Sequence, residues 1–168
     1  MESPECPGHF GYTELSEPVF NIGLFDVTYS ALSAVCQNCG SLLIDDTQRG
    51  GLGSLEAGTD KLRYCKQRKQ MVCKSSIAGK ACGHEQAVIR KPPPKARNGL
   101  FLIASRNQQE TVLFASHVYQ MLNRISDEDA VHMGFKPDFC HPRDLIMTVL
   151  PIPPPAVRPS VSFGGAAR

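Results

Sequence analysis

The chain has 168 residues, which suits one domain or two small ones, and its 42% apolar content supports a modest core. Aromatic residues are only 7% and Trp is absent, which excludes large aromatic clusters, while 14 Gly and 13 Pro argue against a long-helix architecture. The net charge of +2 excludes a globally charged nucleic-acid or membrane binder, and no apolar run approaches the roughly 18 residues of a membrane span.

Charge is unevenly spread. Residues 1–60 carry nine acids and one base, Arg49; residues 61–98 carry eleven Lys or Arg and one acid, Glu85; residues 99–168 carry six of each. A step this sharp marks a change of surface and of partner. Residues 1–30 are acidic and show no leader pattern, so no targeting segment is expected. Seven cysteines, an odd number, argue for metal ligands rather than a secreted disulfide scaffold.

In chain order, Cys6-Pro7-Gly8-His9 opens with a C-x2-H pair. Gly11 to Phe20 reads as a strand limited by Pro18. Ile22, Phe25, Tyr29 and Leu32 recur at helical spacing, so 22–35 reads as an amphipathic helix. It runs into Cys36-Gln37-Asn38-Cys39-Gly40, a knuckle with Gly40 free to take positive φ. Leu42 to Ile44 reads as a short strand, and Asp45 to Asp60 as a polar, Gly-rich mobile loop. A basic, Cys-bearing stretch follows to Cys82, then an exit strand over Glu85 to Lys91 and a stiff spacer at Pro92 to Pro94.

Leu100 to Ala104 and Thr111 to Phe114 read as two strands around a polar turn at Asn107 to Gln109. Ser116 is placed to cap a helix with Val118, Met121, Leu122 and Ile125 on its apolar face. Ser126 and Asp129 have N-cap and N3 spacing for a second short helix, which Gly134 ends. Leu145 to Leu150 is apolar, and five prolines in residues 151–159 forbid helix and sheet interior alike and predict a fixed, extended strap.

The pattern with the most chemistry is Cys36 and Cys39, with Cys73 and Cys82 completing four soft ligands for tetrahedral zinc. From spacing alone Cys65 competes for the third place, and buried free thiols are the plain alternative. Such a closed site is structural, not catalytic. Cys6 and His9 make only half a zinc site. Lys61, Arg63, Lys66, Arg68 and Lys69 read either as a solvated face or as a surface facing nucleic-acid phosphates, with Tyr64 as the stretch's one aromatic. No Walker A, G-x-S-x-G or H-E-x-x-H pattern occurs. Asp127, Glu128 and Asp129 read as helix-start acids, and His117, His132 and His141 as surface, packing or turn residues.

Several segments together resemble a known family. Cys6 to Gly11, Glu14-Leu15 and Pro18-Val19-Phe20 look like the CPGHFGH-x-EL-x-x-PVF signature of the largest subunit of multisubunit DNA-directed RNA polymerases. Arg124 to Glu128 and Met147 to Ser160 match the same subunit in the same order, and the resemblance is weakest over 45–110. The long interval between Cys39 and Cys73 and the three prolines before Ala156 resemble the eukaryotic polymerase II type.

The resemblance implies an α+β, irregular zinc-binding clamp-type domain with short helices, small antiparallel strands and long loops. It implies a zinc-binding clamp segment over 1–98, a mixed α/β clamp-core segment over 99–150 and a proline-rich strap over 151–168 leading into the rest of the subunit. Met71-Val72-Cys73 and Ala81-Cys82-Gly83 match the family's ligand contexts, so the resemblance prefers Cys73 to Cys65. The family's first C-x2-C lies upstream of the position of Cys6, so Cys6 and His9 are expected to be half of a second zinc site.

The family's Arg-Pro-Glu-Trp-Met is here His141-Pro142-Arg143-Asp144-Leu145. Its magnesium-holding Asn-Ala-Asp-Phe-Asp-Gly-Asp loop is not among these residues. The implied partners are other polymerase subunits, the second-largest above all, with DNA and RNA–DNA hybrid and no membrane. The implied location is the nucleus, with Zn2+ as the structural cofactor and Mg2+ belonging to the full assembly. The alternatives are a freestanding zinc-binding protein-interaction module or a non-functional truncated product.

Overall fold

The computed structural model describes residues 8–56, 58–74, 82–92 and 101–157. It falls into two compact units, one of residues 1–16 with 148–168 and one of residues 17–147.

In the larger unit, the apolar spacing after Phe20 produces a single 3-10 turn at Ile22–Leu24 and then helix α1, Phe25–Ala34. The Asn21 side chain starts the turn by accepting from Gly23 N at 3.0 Å. Ala31, Leu32 and Ala34 are buried, and so are Thr28 and Ser33. Thr28 Oγ1 donates to Leu24 O at 2.9 Å and Ser33 Oγ to Tyr29 O at 2.7 Å, so burying these hydroxyls leaves no donor unmet.

Two expectations fail just beyond. Leu42 to Ile44 forms no strand, only an isolated bridge between Val35 and Leu42, because the tight Cys36–Cys39 turn lets the chain run back beside itself for one pair. Asp45 to Asp60 is not an open loop. It holds α2, Asp46–Gly50, a 3-10 turn at Gly51–Ser54 and the start of α3, Gly58–Arg68. A capping box explains α2: the Asp45 side chain takes the Gln48 backbone N–H, and the Gln48 side chain takes that of Asp45. Leu52 then gives the segment an apolar anchor.

Strands β2 (Val88–Arg90), β3 (Leu102–Arg106) and β4 (Gln109–Leu113) form an antiparallel sheet in that order. The β3–β4 turn has positive φ at Asn107 (48°) and Gln108 (66°), the pattern of a two-residue hairpin whose twist suits its strands. Ile89, Leu102, Ala104 and Leu113 face the core.

Helix α4 spans Ala115–Leu122 and buries Val118 and Leu122, with Ile125 buried just past its end. Its N-cap is Phe114, not Ser116, and no side chain caps it; β4 leads straight into the helix, which starts before Ser116 is reached. Helix α5, Asp127–His132, is capped as expected, with Ser126 Oγ accepting from Asp129 N at 3.2 Å. Gly134 leaves it at φ 91°.

Strand β1, Gly11–Phe20, pairs with β5, Ile146–Ile152, as a two-stranded sheet. Pro151 and Ile152 therefore belong to a strand with an open edge, which is compatible with prolines excluding only a sheet interior. A two-stranded sheet leaves every strand one open edge, where proline's missing N–H costs nothing. A 3-10 turn follows at Pro155–Val157. Pro93, Pro94 and Arg158 to Ser160 lie outside the described residues. Among the described residues no helix is long and apolar enough to cross a membrane.

Candidate metal centre and basic helix

Two returns of the chain build the centre. In the first, Cys36 N donates to Ser41 O at 2.8 Å and Gly40 N to Cys36 O at 2.9 Å, which folds Cys36 and Cys39 onto one side. In the second, Val72 and Glu85 form an antiparallel bridge, Cys73 N donates to His84 O at 3.0 Å and Gly83 N to Cys73 O at 3.2 Å. Gln70 N donates to Leu43 O at 2.7 Å and ties the two together. The Sγ atoms of Cys36, Cys39, Cys73 and Cys82 then lie within 4.8 Å of one another.

The donor set fits a tetrahedral metal. Zinc–sulfur bonds of about 2.3 Å place sulfurs roughly 3.8 Å apart. Here Cys36 and Cys82 are 3.5 Å apart and Cys39 and Cys73 3.7 Å, and all four are free thiols. Four soft donors with no open position suit zinc holding structure.

The surroundings prepare the sulfurs unequally. Burial pushes the Cys36 thiol up to about 12, against the N–H groups of Cys39 and Asn38 that point at it. Slight burial also raises Cys82, but His84 N–H, the Asn38 side chain and the neighbouring thiols outweigh it and bring it down to about 6. The exposed sulfur is thus the one most ready to enter as thiolate.

A supporting layer surrounds them that the sequence did not announce. Buried Gln86 donates Nε2 to Cys36 Sγ at 3.2 Å and to His84 O at 2.8 Å, while its Oε1 accepts from Gln37 N at 2.9 Å. One side chain therefore joins both returns. Gly40 has φ 78°, and a Cβ there would lie 2.6 Å from the Arg124 backbone, so glycine is needed for conformation and for space. Arg124 Nη1 donates to Asn38 O at 2.8 Å.

Asp129, a first-turn acid of α5 as expected, is also buried, at 8% exposed; it accepts from Leu42 N at 3.2 Å and pairs with Arg49 at 3.0 Å. Asp127 and Glu128 stay exposed in the first turn of α5.

Cys65 does not join the sulfurs. It is fully buried in the main core, and burial raises its thiol to about 11, with Arg49 pulling down and Asp129 pushing up. Cys140 is exposed. His9 is exposed and Cys6 lies outside the described residues. His141 is a buried turn residue. Its Nδ1 accepts from Arg143 N at 3.2 Å, and its Nε2 bonds Ile125 O at 3.1 Å. His117 lies exposed on α4, and half-buried His132 ends α5.

The basic stretch is helical over Gly58–Arg68, which residue charge had hidden: Leu62 and Cys65 are its buried side chains. Arg63 and Arg68 are exposed, and Lys61 and Lys69 half-buried. Arg68 lies over the Tyr64 ring at 5.1 Å. Lys66 is turned onto the Tyr29 ring at 4.0 Å.

Compared with known proteins, residues 1–168 match the family described as RNA polymerase Rpb1, domain 1. The chain belongs to the Rpb1 family. Two Trypanosoma brucei brucei relatives, DNA-directed RNA polymerase II subunits RPB1-A and RPB1-B, are each 38% identical over 96% of this chain and 11% of their own length. DNA-directed RNA polymerase II subunit RPB1 of Euplotoides octocarinatus is 36% identical over 99% of the chain and 37% of its own. DNA-directed RNA polymerase subunit Rpo1N of Methanocaldococcus jannaschii is 35% identical over 98% and 12%. The chain thus spans about a tenth of the trypanosome relatives it matches. Within this Rpb1 chain, the Arg124 to Glu128 motif flanks the sulfur cluster, with Arg124 bound to the knuckle and Ser126 capping α5.

Proposed function

We propose that this chain is the zinc-binding clamp segment of an RNA polymerase largest subunit and helps to retain template DNA and RNA–DNA hybrid in a nuclear polymerase. The observation that carries the reading is the four-sulfur cluster, whose Sγ atoms lie within 4.8 Å in a chain matched to the Rpb1 family throughout. Cys36, Cys39, Cys73 and Cys82 would hold the zinc, whose contribution is a cross-link between two chain returns.

The basic helix α3 ends at Arg68, and Gln70 is already hydrogen-bonded into the cluster, so the metal also fixes where the helix stops. Lys61, Arg63, Arg68 and Lys69 then offer phosphates a positive surface, with Lys66 set back over Tyr29. Phosphate contacts of this kind position nucleic acid without reading its sequence.

Nucleotidyl transfer belongs to the assembly with the second-largest subunit, at magnesium ions held by residues outside these 168. Cys6 and His9 would supply two ligands of a second zinc site completed from elsewhere. The family match over the whole chain favours this reading over a freestanding interaction module.

A duplex-DNA titration at rising salt tests it. Log affinity should fall linearly with log salt, by about 0.9 per phosphate contact, with a Kd of about 10⁻⁴ to 10⁻⁶ M at physiological salt. Two unrelated duplexes should bind alike, and the Lys61→Glu/Arg68→Glu/Lys69→Glu variant should lose most of the salt slope. Salt-independent binding, or a clear preference for one duplex, would contradict the reading. With magnesium and nucleoside triphosphates the chain alone should incorporate no nucleotide.

A further inference from the structure

A groove of about 600 Å³ lies between α1, α3 and the end of α5. Val27, Leu62, Met133 and Phe135 make its lining mainly apolar. A backbone contact fixes one part of its wall. A Cβ on Gly134 would lie 2.5 Å from Gly58 Cα, so the end of α5 and the start of α3 meet with no side chain between them.

The rim is cationic. Arg63 is exposed there, and Lys66 is held in place with its Nζ 4.0 Å from the Tyr29 ring centroid and 3.5 Å from Ser30 Oγ. Lys91 approaches the same ring at 5.0 Å and pairs with Asp26, the groove's one lining acid. Among the described residues no carboxylate lies within 4.0 Å of Lys66. Burial, then Lys91 and Lys69, make its charge harder to hold, Asp26 offsets part of that, and an incoming carboxylate would add to the offset.

We infer that this groove is a docking site for an acidic, amphipathic peptide segment of a partner protein, with apolar side chains on Val27, Leu62 and Phe135 and a carboxylate at Lys66 and Arg63. Charge complementarity selects the acid, and the apolar lining selects a peptide over nucleic acid. A sugar–phosphate chain has no aliphatic group to fill such a floor. An amphipathic helix laid in a groove uses this combination. The inference shares Arg63 with the phosphate-facing reading and otherwise stands apart from its Lys61, Arg68 and Lys69.

Fluorescence anisotropy with the 168-residue chain tests both separately. The probes are a labelled peptide of about 14 residues with Leu and Phe at i, i+3, i+4 and i+7 and Glu elsewhere, its scrambled isomer, and an oligo-dT strand of similar length. The amphipathic peptide should bind at least about tenfold more tightly than its isomer, the scale of one anchor contact. Arg63→Glu, an exposed change that leaves the core untouched, should weaken the peptide by about tenfold. Val27→Asp should weaken the peptide similarly and leave oligo-dT unchanged.

Equal binding of the two peptides, or no effect of Arg63→Glu on the amphipathic one, overturns the proposal. So does a Val27→Asp loss that is as large for oligo-dT as for the peptide, which would give the groove to nucleic acid. Loss of oligo-dT binding alone counts against the phosphate-facing reading and not against the groove.

Discussion

Two neighbouring parts of residues 17–147 are built from different materials. The main core joins Leu32, Leu102, Val118, Leu122 and Met133, each less than 2% exposed, from helices, sheet and loop. Around the sulfurs the buried apolar set, among the described residues, is Cys36, Leu43 and Cys73, with Cys39 packed against it. Each large aliphatic side chain buried in the first contributes about 1.5–3 kcal/mol. Among the described residues the second has one such residue, Leu43, and no helix or ladder longer than a single bridge. The contrast teaches that hydrophobic burial serves α1, α4, the sheet and also Leu42 and Ile44, whereas on the proposed reading residues 36–41, Leu43, 70–74 and 82–87 depend on a cross-link at their centre.

The contrast can be broken from either side. The largest effect is expected at Leu122, fully buried on α4. Leu122→Ala should cost about 2–5 kcal/mol of global stability in urea denaturation. Bound zinc should remain stoichiometric below the transition, because the sulfurs do not depend on that packing for their spacing.

Two glycines beside cysteines sharpen the comparison. Both have positive φ, Gly40 at 78° and Gly83 at 67°, but only Gly40 lacks room for a Cβ. Gly83→Ala should cost about 1 kcal/mol from backbone conformation alone. Gly40→Ala should cost about 2 kcal/mol more, since the Arg124 backbone must move as well. Thermal denaturation of the zinc-loaded variants measures the difference, and equal losses would mean that the Arg124 contact is slack.

The smallest effect is expected at Gln86, which supports a sulfur without being a ligand. Gln86→Ala should lower zinc affinity by about tenfold, measured by competition with a chelator, while helix content stays unchanged. An unchanged affinity would show that the two returns are held by the sulfurs alone.

How far the sequence reached follows the same division. The C-x2-C knuckle, the positive φ of Gly40, the polar hairpin turn, the apolar face of α4 and the two ends of α5 were legible because each has a local signature: fixed spacing, a glycine, or a helical period. Helix α2 had one too, the Asp45 to Gln48 capping box, but the glycines around it masked it. Helix α3 was hidden because Leu62 and Cys65 are its only buried side chains and its other positions are mostly polar or charged.

Cys65 and Cys73 could not be separated by spacing, since only the antiparallel bridge of Val72 with Glu85 decides which cysteine meets Cys82. Gln86 carried no signal at all, and Asp129 carried only that of a helix-start acid. Their roles arise from partners 50 and 87 residues away along the chain. The capping role of Ser126 was readable locally, and the buried pair of its neighbour Asp129 with Arg49 was not.

Amide hydrogen exchange on the zinc-loaded chain, before and after a chelator strips the metal, tests the central claim most directly. The reporters are the amides of Leu43, Gln70, Cys73 and Gln86, which bond Ala34 O, Leu43 O, His84 O and Met71 O at 2.9, 2.7, 3.0 and 2.7 Å. On chelation these four should lose protection together while amides of α1 and α4 keep theirs. Protection that survives at all four after one equivalent of zinc is removed would contradict the account, because the segments would then be ordered without the cross-link.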